Sequence, residues 1–284
     1  MRTVRTVAEL RRALAPERGA DRSIGLVPTM GALHDGHLSL LRAAREQCDV
    51  VVMSLFVNPA QFGPADDLDT YPRDEERDLG LAEAEGVDLV YAPGADEVYP
   101  PGFSTKVEVE GLTDVLCGAP ERRGAAHFRG VTTIVAKLLN SAAPDRCYFG
   151  QKDAQQAIVI RRMVRDLDFD AQIVVLPTVR EPDGLAMSSR NAYLDREARE
   201  RATALSRGLA AADAAARSGR SLEAALASAR GEFEAAGVDP EYLEARDAED
   251  LSATGAFNGR PVLVAVAARV GGARLIDNTI IGGN

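Results

Sequence analysis

The segment Val50–Val57 (VVVMSLFV) is an essentially unbroken apolar run rich in β-branched residues, and a helical stripe of Leu38, Leu40, Leu41 and Ala44 leads into it. Such a run reads as a strand buried on both faces, which demands helices on either side of a parallel sheet. The pattern recurs along the chain. A helix is expected around Val7–Leu14, and Ile24–Val27 is a short buried strand closed off by Pro28, Gly31 and Gly36. Asp69 or Thr70 is expected to cap a helix over Arg73–Glu85, with a strand at Val87–Tyr91. Further on, Val131–Ser141 reads as a helix, Arg146–Phe149 as a strand, Ala154–Asp166 as a helix and Gln172–Leu176 as a strand, while Thr105–Glu110 alternates like an edge strand or hairpin arm. Alternating strands and helices imply a Rossmann-like α/β fold.

Beyond Thr178 the texture changes. Asp195 is expected to cap a long Ala- and Arg-rich helix, Ser221 a second at Leu222–Ala235, and strands follow near Glu241–Arg246 and Pro261–Arg269. This predicts a larger domain over residues 1–178 and a smaller C-terminal α+β domain over 179–284, with the boundary inside Pro177–Arg190.

The net charge of −10 opposes broad contact with nucleic acid, and no apolar run approaches the roughly 18 residues of a membrane span. The N-terminus lacks the apolar core of a secretory signal, so a cytoplasmic location is expected. Cys48, Cys117 and Cys147 are widely spaced and show neither a disulfide framework nor a metal knuckle. Arginine supplies nearly all the positive charge. Only Lys106, Lys137 and Lys152 among the 33 basic residues are lysines, so a lysine here invites a chemical explanation.

The segment with most chemical content is Pro28-Thr29-Met30-Gly31-Ala32-Leu33-His34-Asp35-Gly36-His37, between the strand at Ile24–Val27 and the helix after it. In an α/β sheet this is the ligand crevice, where glycines admit a phosphate, a helix start offers N–H groups, and two imidazoles add donors. A zinc site would need more ligands than His127, the only other histidine, supplies. Gly150-Gln151-Lys152-Asp153 likewise follows a strand and opens a helix, which makes Lys152 a mobile charge for phosphate. Met187-Ser188-Ser189-Arg190 offers hydroxyls and a guanidinium at the proposed domain junction.

The first of these turns is similar to the HxGH turn of nucleotidyltransferases and to the HIGH turn of class I aminoacyl-tRNA synthetases. Read with Phe56-Val57-Asn58-Pro59-Ala60-Gln61-Phe62, Tyr71-Pro72-Arg73, His127-Phe128-Arg129-Gly130-Val131, the run Phe149–Gln156 and Glu181–Asn191, it resembles the pantothenate synthetase family over about Ser23–Asn191. The resemblance implies ATP-dependent condensation of pantoate with β-alanine through a pantoyl-adenylate, with Mg²⁺, in a homodimer. It implies His34, His37 and Lys152 as catalytic groups. Met30–His37, Gly150, Gln151, Lys152, Asp153, Val179, Met187, Ser188, Ser189 and Arg190 would bind ATP. Asn58, Gln61 and Gln156 would bind pantoate or β-alanine, and Asp78 would hold the metal. The chain departs from the family's usual acidic residue at Gln151 and aromatic at Ala154. Because the HxGH turn is shared, a nucleotidyltransferase making a dinucleotide product is the competing chemistry. A tRNA-binding synthetase relative and an ATP-binding regulator without turnover are further alternatives.

Overall fold

The structure, a computed structural model, describes residues 1–64 and 66–282. The chain divides into two compact units: one comprises residues 1–114, 118–150 and 159–177, the other 115–117, 151–158 and 178–284.

The first unit runs β1 (Arg2–Val4), α1 (Val7–Gly19), β2 (Ile24–Thr29), α2 (Asp35–Gln47), β3 (Val50–Leu55), α3 (Glu75–Ala84), β4 (Leu89–Tyr91), α4 (Ala95–Val98), α5 (Ala125–Ala142) and β5 (Arg146–Gly150). Then come α6 (Ala154–Asp166), whose first five residues are grouped with the second unit, and β6 (Gln172–Leu176). The six strands form one parallel sheet in the order β1-β4-β3-β2-β5-β6. Strand order therefore reverses between β2 and β5, the position where open α/β sheets bind ligands. β2 pairs β3 along its whole length, but it meets β5 only at Gly25–Arg146 and Leu26–Cys147. Above that level the two strands part. Pro28, which has no N–H to give a neighbour, is tolerated in a central strand because β2 has one partner there instead of two.

The helices cover this sheet for the reason read from the sequence. Leu38, Leu41 and Ala44 of α2 are buried against Val27, Val51, Met53 and Tyr148 of β2, β3 and β5. Each fully buried large aliphatic side chain contributes about 1.5–3 kcal/mol relative to exposure. That seats the start of α2 firmly at the C-terminal end of β2.

The second unit contains α7 (Arg196–Ala202), α8 (Ala204–Arg217) and α9 (Leu222–Ala235), then β7 (Pro240–Asp247), β8 (Val262–Val270) and β9 (Ala273–Ile281) in an antiparallel sheet of that order. Its core joins Leu205, Leu209 and Phe233 to Val264, Val266 and Leu275. A Cβ at Gly208 would lie 2.3 Å from the Phe233 ring, so the glycine sets how closely α8 and α9 approach.

Several expectations need correction. The helix over Arg73–Glu85 begins later, at Glu75, and is capped by Asp74, whose side chain accepts from Arg77 N at 3.1 Å, rather than by Asp69 or Thr70. Pro72 disfavours helical geometry at Tyr71, the first position that a cap at Thr70 would need, and Asp74 supplies the cap instead. Thr105–Glu110 is not a strand. Side chains of α5 satisfy the backbone of Val107 within it: Thr133 Oγ1 accepts from Val107 N at 3.0 Å and Thr132 Oγ1 donates to Val107 O at 2.6 Å. α5 starts six residues before the expected Val131 and carries Gly130 inside it. The long helix after Asp195 breaks at Thr203 into α7 and α8. β1 and β9 were not anticipated. β1 is three residues long, and β9 carries a buried polar pair, Asp277 and Asn278, that hides its apolar alternation.

Candidate active site

The loop from β2 to α2 makes its own helix start. His34 is the N-cap of α2, and its Nδ1 accepts from Gly36 N at 3.2 Å, while His37 Nδ1 accepts from His34 N at 3.4 Å. The rings lie 4.1 Å apart, tilted by 36°. An imidazole nitrogen that accepts a backbone N–H carries no proton, so in each neutral ring the proton sits on Nε2. Both histidines are thereby fixed as Nε2–H donors.

A charged side chain from α3 shapes the rest of the loop. Asp78, 1% exposed, takes Ala32 N on Oδ2 and Leu33 N on Oδ1, both at 2.8 Å. Its neighbour Arg77 donates to Leu33 O at 3.1 Å. Such charge-assisted bonds justify an expensive backbone: Gly31 has φ +85°, Ala32 sits at φ +50°, and a Cβ at position 31 would lie 2.9 Å from Asp78 Oδ2. The amides of Ala32 and Leu33, two residues of the expected ATP-binding loop, are committed to Asp78. The magnesium role expected of Asp78 does not fit this geometry, because each oxygen already takes a loop amide and the side chain has almost no exposed face. Among the described residues no group of three or more His, Cys, Asp or Glu is placed to hold a metal ion.

Asn58 and Gln61 stand in the short turn Pro59–Gln61 after β3. Asn58 is 1% exposed and wholly engaged: Nδ2 donates to Gly130 O at 3.1 Å and to Gln61 Oε1 at 3.0 Å, while Oδ1 accepts from Tyr99 OH at 2.7 Å and Ala60 N at 3.3 Å. All four of these bonds lie within the protein and make Asn58 a support for the turn that carries Gln61. Gln61 is half-buried, with Nε2 3.2 Å from Met30 Sδ, which joins it to the histidine loop. His127 Nδ1 donates to Gln61 O at 2.7 Å. Burial pushes the Tyr99 hydroxyl up to about 12, although its bond to Asn58 works the other way. It stays an O–H donor through any working pH.

Gln151, Lys152, Asp153, Gln156, Val179 and Met187–Arg190 belong to the second unit. β9 organises two of these segments. Asn278 Nδ2 donates to Gln151 O and Lys152 O, both at 2.9 Å, and its Oδ1 accepts from Gln151 Nε2 at 3.0 Å. Next to it Asp277 takes Arg180 at 2.6 and 3.1 Å. Met187 N donates to Val179 O at 3.0 Å, and Ser188 Oγ accepts from Arg190 N at 3.3 Å to cap the turn Ser189–Tyr193. Gln155 is buried, holding Cys117 N at 3.0 Å and Val115 O at 2.7 Å, whereas its neighbour Gln156 is half-buried. Sequence reasoning passed over Arg77, Tyr99, Asp277 and Asn278. None of them lies in a recognisable motif.

The profile of the family described as Pantoate-beta-alanine ligase matches residues 2–280. A pantothenate synthetase of Moorella thermoacetica is 52% identical over 283 residues, covering 99% of each chain. The crystal structure of pantothenate synthetase from Thermus thermophilus superposes with a TM-score of 0.93 at 49% identity, with complete coverage of both chains. That of the Francisella tularensis pantoate-beta-alanine ligase, complexed with beta-gamma ATP and beta-alanine, gives 0.80 at 31% identity, covering 99% of this chain and 97% of that one.

Proposed function

The chain belongs to the pantoate-beta-alanine ligase family, and we propose that it forms the amide between these two substrates through a pantoyl-adenylate. The carboxylate must gain a leaving group before an amine will displace it, and ATP supplies AMP. A pantoate carboxylate oxygen attacks the α-phosphorus and pyrophosphate departs. The β-alanine amine then attacks the acyl carbon, loses a proton and expels AMP. No protein nucleophile is required, so catalysis rests on positioning and on donors aimed at developing charge.

The observation that carries this reading is the start of α2, where two imidazoles with Nε2 protons fixed by capping stand at the open end of β2. We assign His34 and His37 to phosphate oxygens, together with Lys152, Ser188, Ser189 and Arg190. Gln61 and Gln156 are assigned to pantoate, with Gln61 also near β-alanine. Mg²⁺ would arrive with the nucleotide and would supply charge neutralisation at its phosphates. The same family resemblance supports a homodimer in the cytoplasm, the former open to light scattering.

The test is a single-turnover experiment with ATP, Mg²⁺ and pantoate. Pyrophosphate should appear without β-alanine, and AMP only after β-alanine is added. Pyrophosphate release that waits for the amine would refute the adenylate.

A further inference from the structure

Amide side chains look alike at both ends, and only their surroundings say which end is which. Around Asn58 the surroundings decide, because two of its partners are backbone groups with one chemical sense each. Gly130 C=O can only accept, so the Asn58 atom 3.1 Å from it is the NH₂. Ala60 N–H can only donate, so the atom facing it is the oxygen. The second bond of that NH₂ goes to Gln61 and must end on Gln61 Oε1. The Gln61 amide is thereby oriented, and its NH₂ is the end directed elsewhere, with Met30 Sδ as its neighbour at 3.2 Å. Thioether sulfur is a weak acceptor that a better oxygen displaces. The remaining lone pair of Asn58 Oδ1 faces Tyr99 OH at 2.7 Å, the shortest bond of the set.

From this we infer that Tyr99 is a positioning residue for the acid substrate, acting through Asn58 to keep Gln61 a hydrogen-bond donor toward its ligand. Gln61 then recognises an oxygen with lone pairs, a carboxylate or a hydroxyl used as acceptor, and discriminates against a group such as an ammonium that offers only N–H. Tyr99 is suited to the task. Its ring is held between Phe56 and Phe103, at centroid distances of 6.4 and 5.1 Å, and among the described residues Asn58 has no other side-chain donor on Oδ1. Without the phenol, a turn of the Asn58 amide would no longer face an opposing O–H, and the polarity of Gln61 would rest on two backbone bonds alone.

The inference rests on the assignment of Gln61 to pantoate, and three variants separate the two. Steady-state kinetics would be measured for Gln61→Ala, Gln61→Glu and Tyr99→Phe, with the Gln61→Ala/Tyr99→Phe double variant. Gln61→Glu keeps the acceptor for Asn58 but presents an anionic oxygen to the substrate. It should lower kcat/KM for pantoate at least as far as Gln61→Ala, roughly a hundredfold, the scale of a lost substrate hydrogen bond with an unpaired group left behind. Tyr99→Phe should raise KM for pantoate about tenfold with KM for ATP unchanged, and should add nothing in the Gln61→Ala background. A Gln61→Glu variant with near-normal pantoate KM beside a damaged Gln61→Ala overturns the donor polarity. Additive losses from Tyr99→Phe and Gln61→Ala reduce Tyr99 to a packing residue. If Gln61→Ala itself leaves pantoate KM intact, the substrate assignment is what fails.

Discussion

Replacing Gly130 by alanine would ordinarily strengthen a helix, since alanine is favoured over glycine in a helix interior by about 1 kcal/mol. Here the added methyl has nowhere to go. A Cβ at position 130 would lie 2.2 Å from Ala60 O, 2.4 Å from Ala60 C and 2.6 Å from Gln61 N, all backbone atoms that no rotamer change can withdraw. Restoring van der Waals separation requires the turn Pro59–Gln61 to move roughly 1 Å from α5, because atoms in contact sit about 3.5–4.0 Å apart. Overpacking of this kind costs about 1–3 kcal/mol, which the propensity gain partly offsets, so the net loss of stability is on the order of 1 kcal/mol. Activity should suffer far more. Gln61 and the Asn58–Gly130 bond ride on the displaced turn, and a misplacement of about 1 Å in a substrate-positioning group costs on the order of a hundredfold. Gly130→Ala should therefore melt within a few degrees of the parent, bind ATP normally by titration calorimetry, and lose roughly a hundredfold in kcat/KM for pantoate. Parental kinetics would show that the close approach of α5 does not set the position of Gln61.

Two further outcomes test the phosphate side. Asp78→Asn replaces one acceptor by an NH₂ facing the Ala32 or Leu33 amide, at a cost of about 1–3 kcal/mol to the loop. It should raise KM for ATP about tenfold while the Mg²⁺ concentration for half-maximal activity at saturating ATP stays put; a shift in that Mg²⁺ dependence would return Asp78 to the metal. His37→Ala and Lys152→Ala should each lower kcat by roughly 10²–10³, the usual loss for one preorganised donor. Cooperative melting should persist in both, and near-parental turnover in either would remove that residue from the proposed chemistry.

Much of the fold could be read from period and composition because its strands are short, β-branched and buried on both faces. α6 and β6 begin and end where the pattern puts them, and β3 ends two residues early. Two of the failures concern alternation. Thr105–Glu110 has the alternation of a strand but satisfies the backbone of Val107 on Thr132 and Thr133, and β9 is a strand whose alternation is broken by Asp277 and Asn278. In both cases partners distant in sequence decide the outcome. The site divides in the same way. Groups proposed to touch substrate fall in contiguous segments that stand out in the sequence, His34 to His37, Asn58 to Gln61, Gln151 to Gln156 and Ser188 to Arg190. Some of their supports come from 40 or more residues away, as Asp78 does for Ala32 and Tyr99 for Asn58, and no local pattern announces those.

The capping of α2 has a cost that bears on efforts to stabilise the enzyme. Helices are best started by asparagine, aspartate, serine or threonine, and exchanging such a cap for an unsuitable residue loses about 0.5–2 kcal/mol. His34 holds that position with a longer bond from Gly36 N, 3.2 Å, and a ring bulkier than a cap needs. A search for thermal stability alone would replace it, as it would fill the left-handed Ala32 position with glycine or asparagine. Each exchange relieves the backbone and disturbs the loop proposed to hold the nucleotide phosphates. If His34 is the phosphate donor proposed above, the first turn of α2 is a place where turnover and robustness ask for different residues.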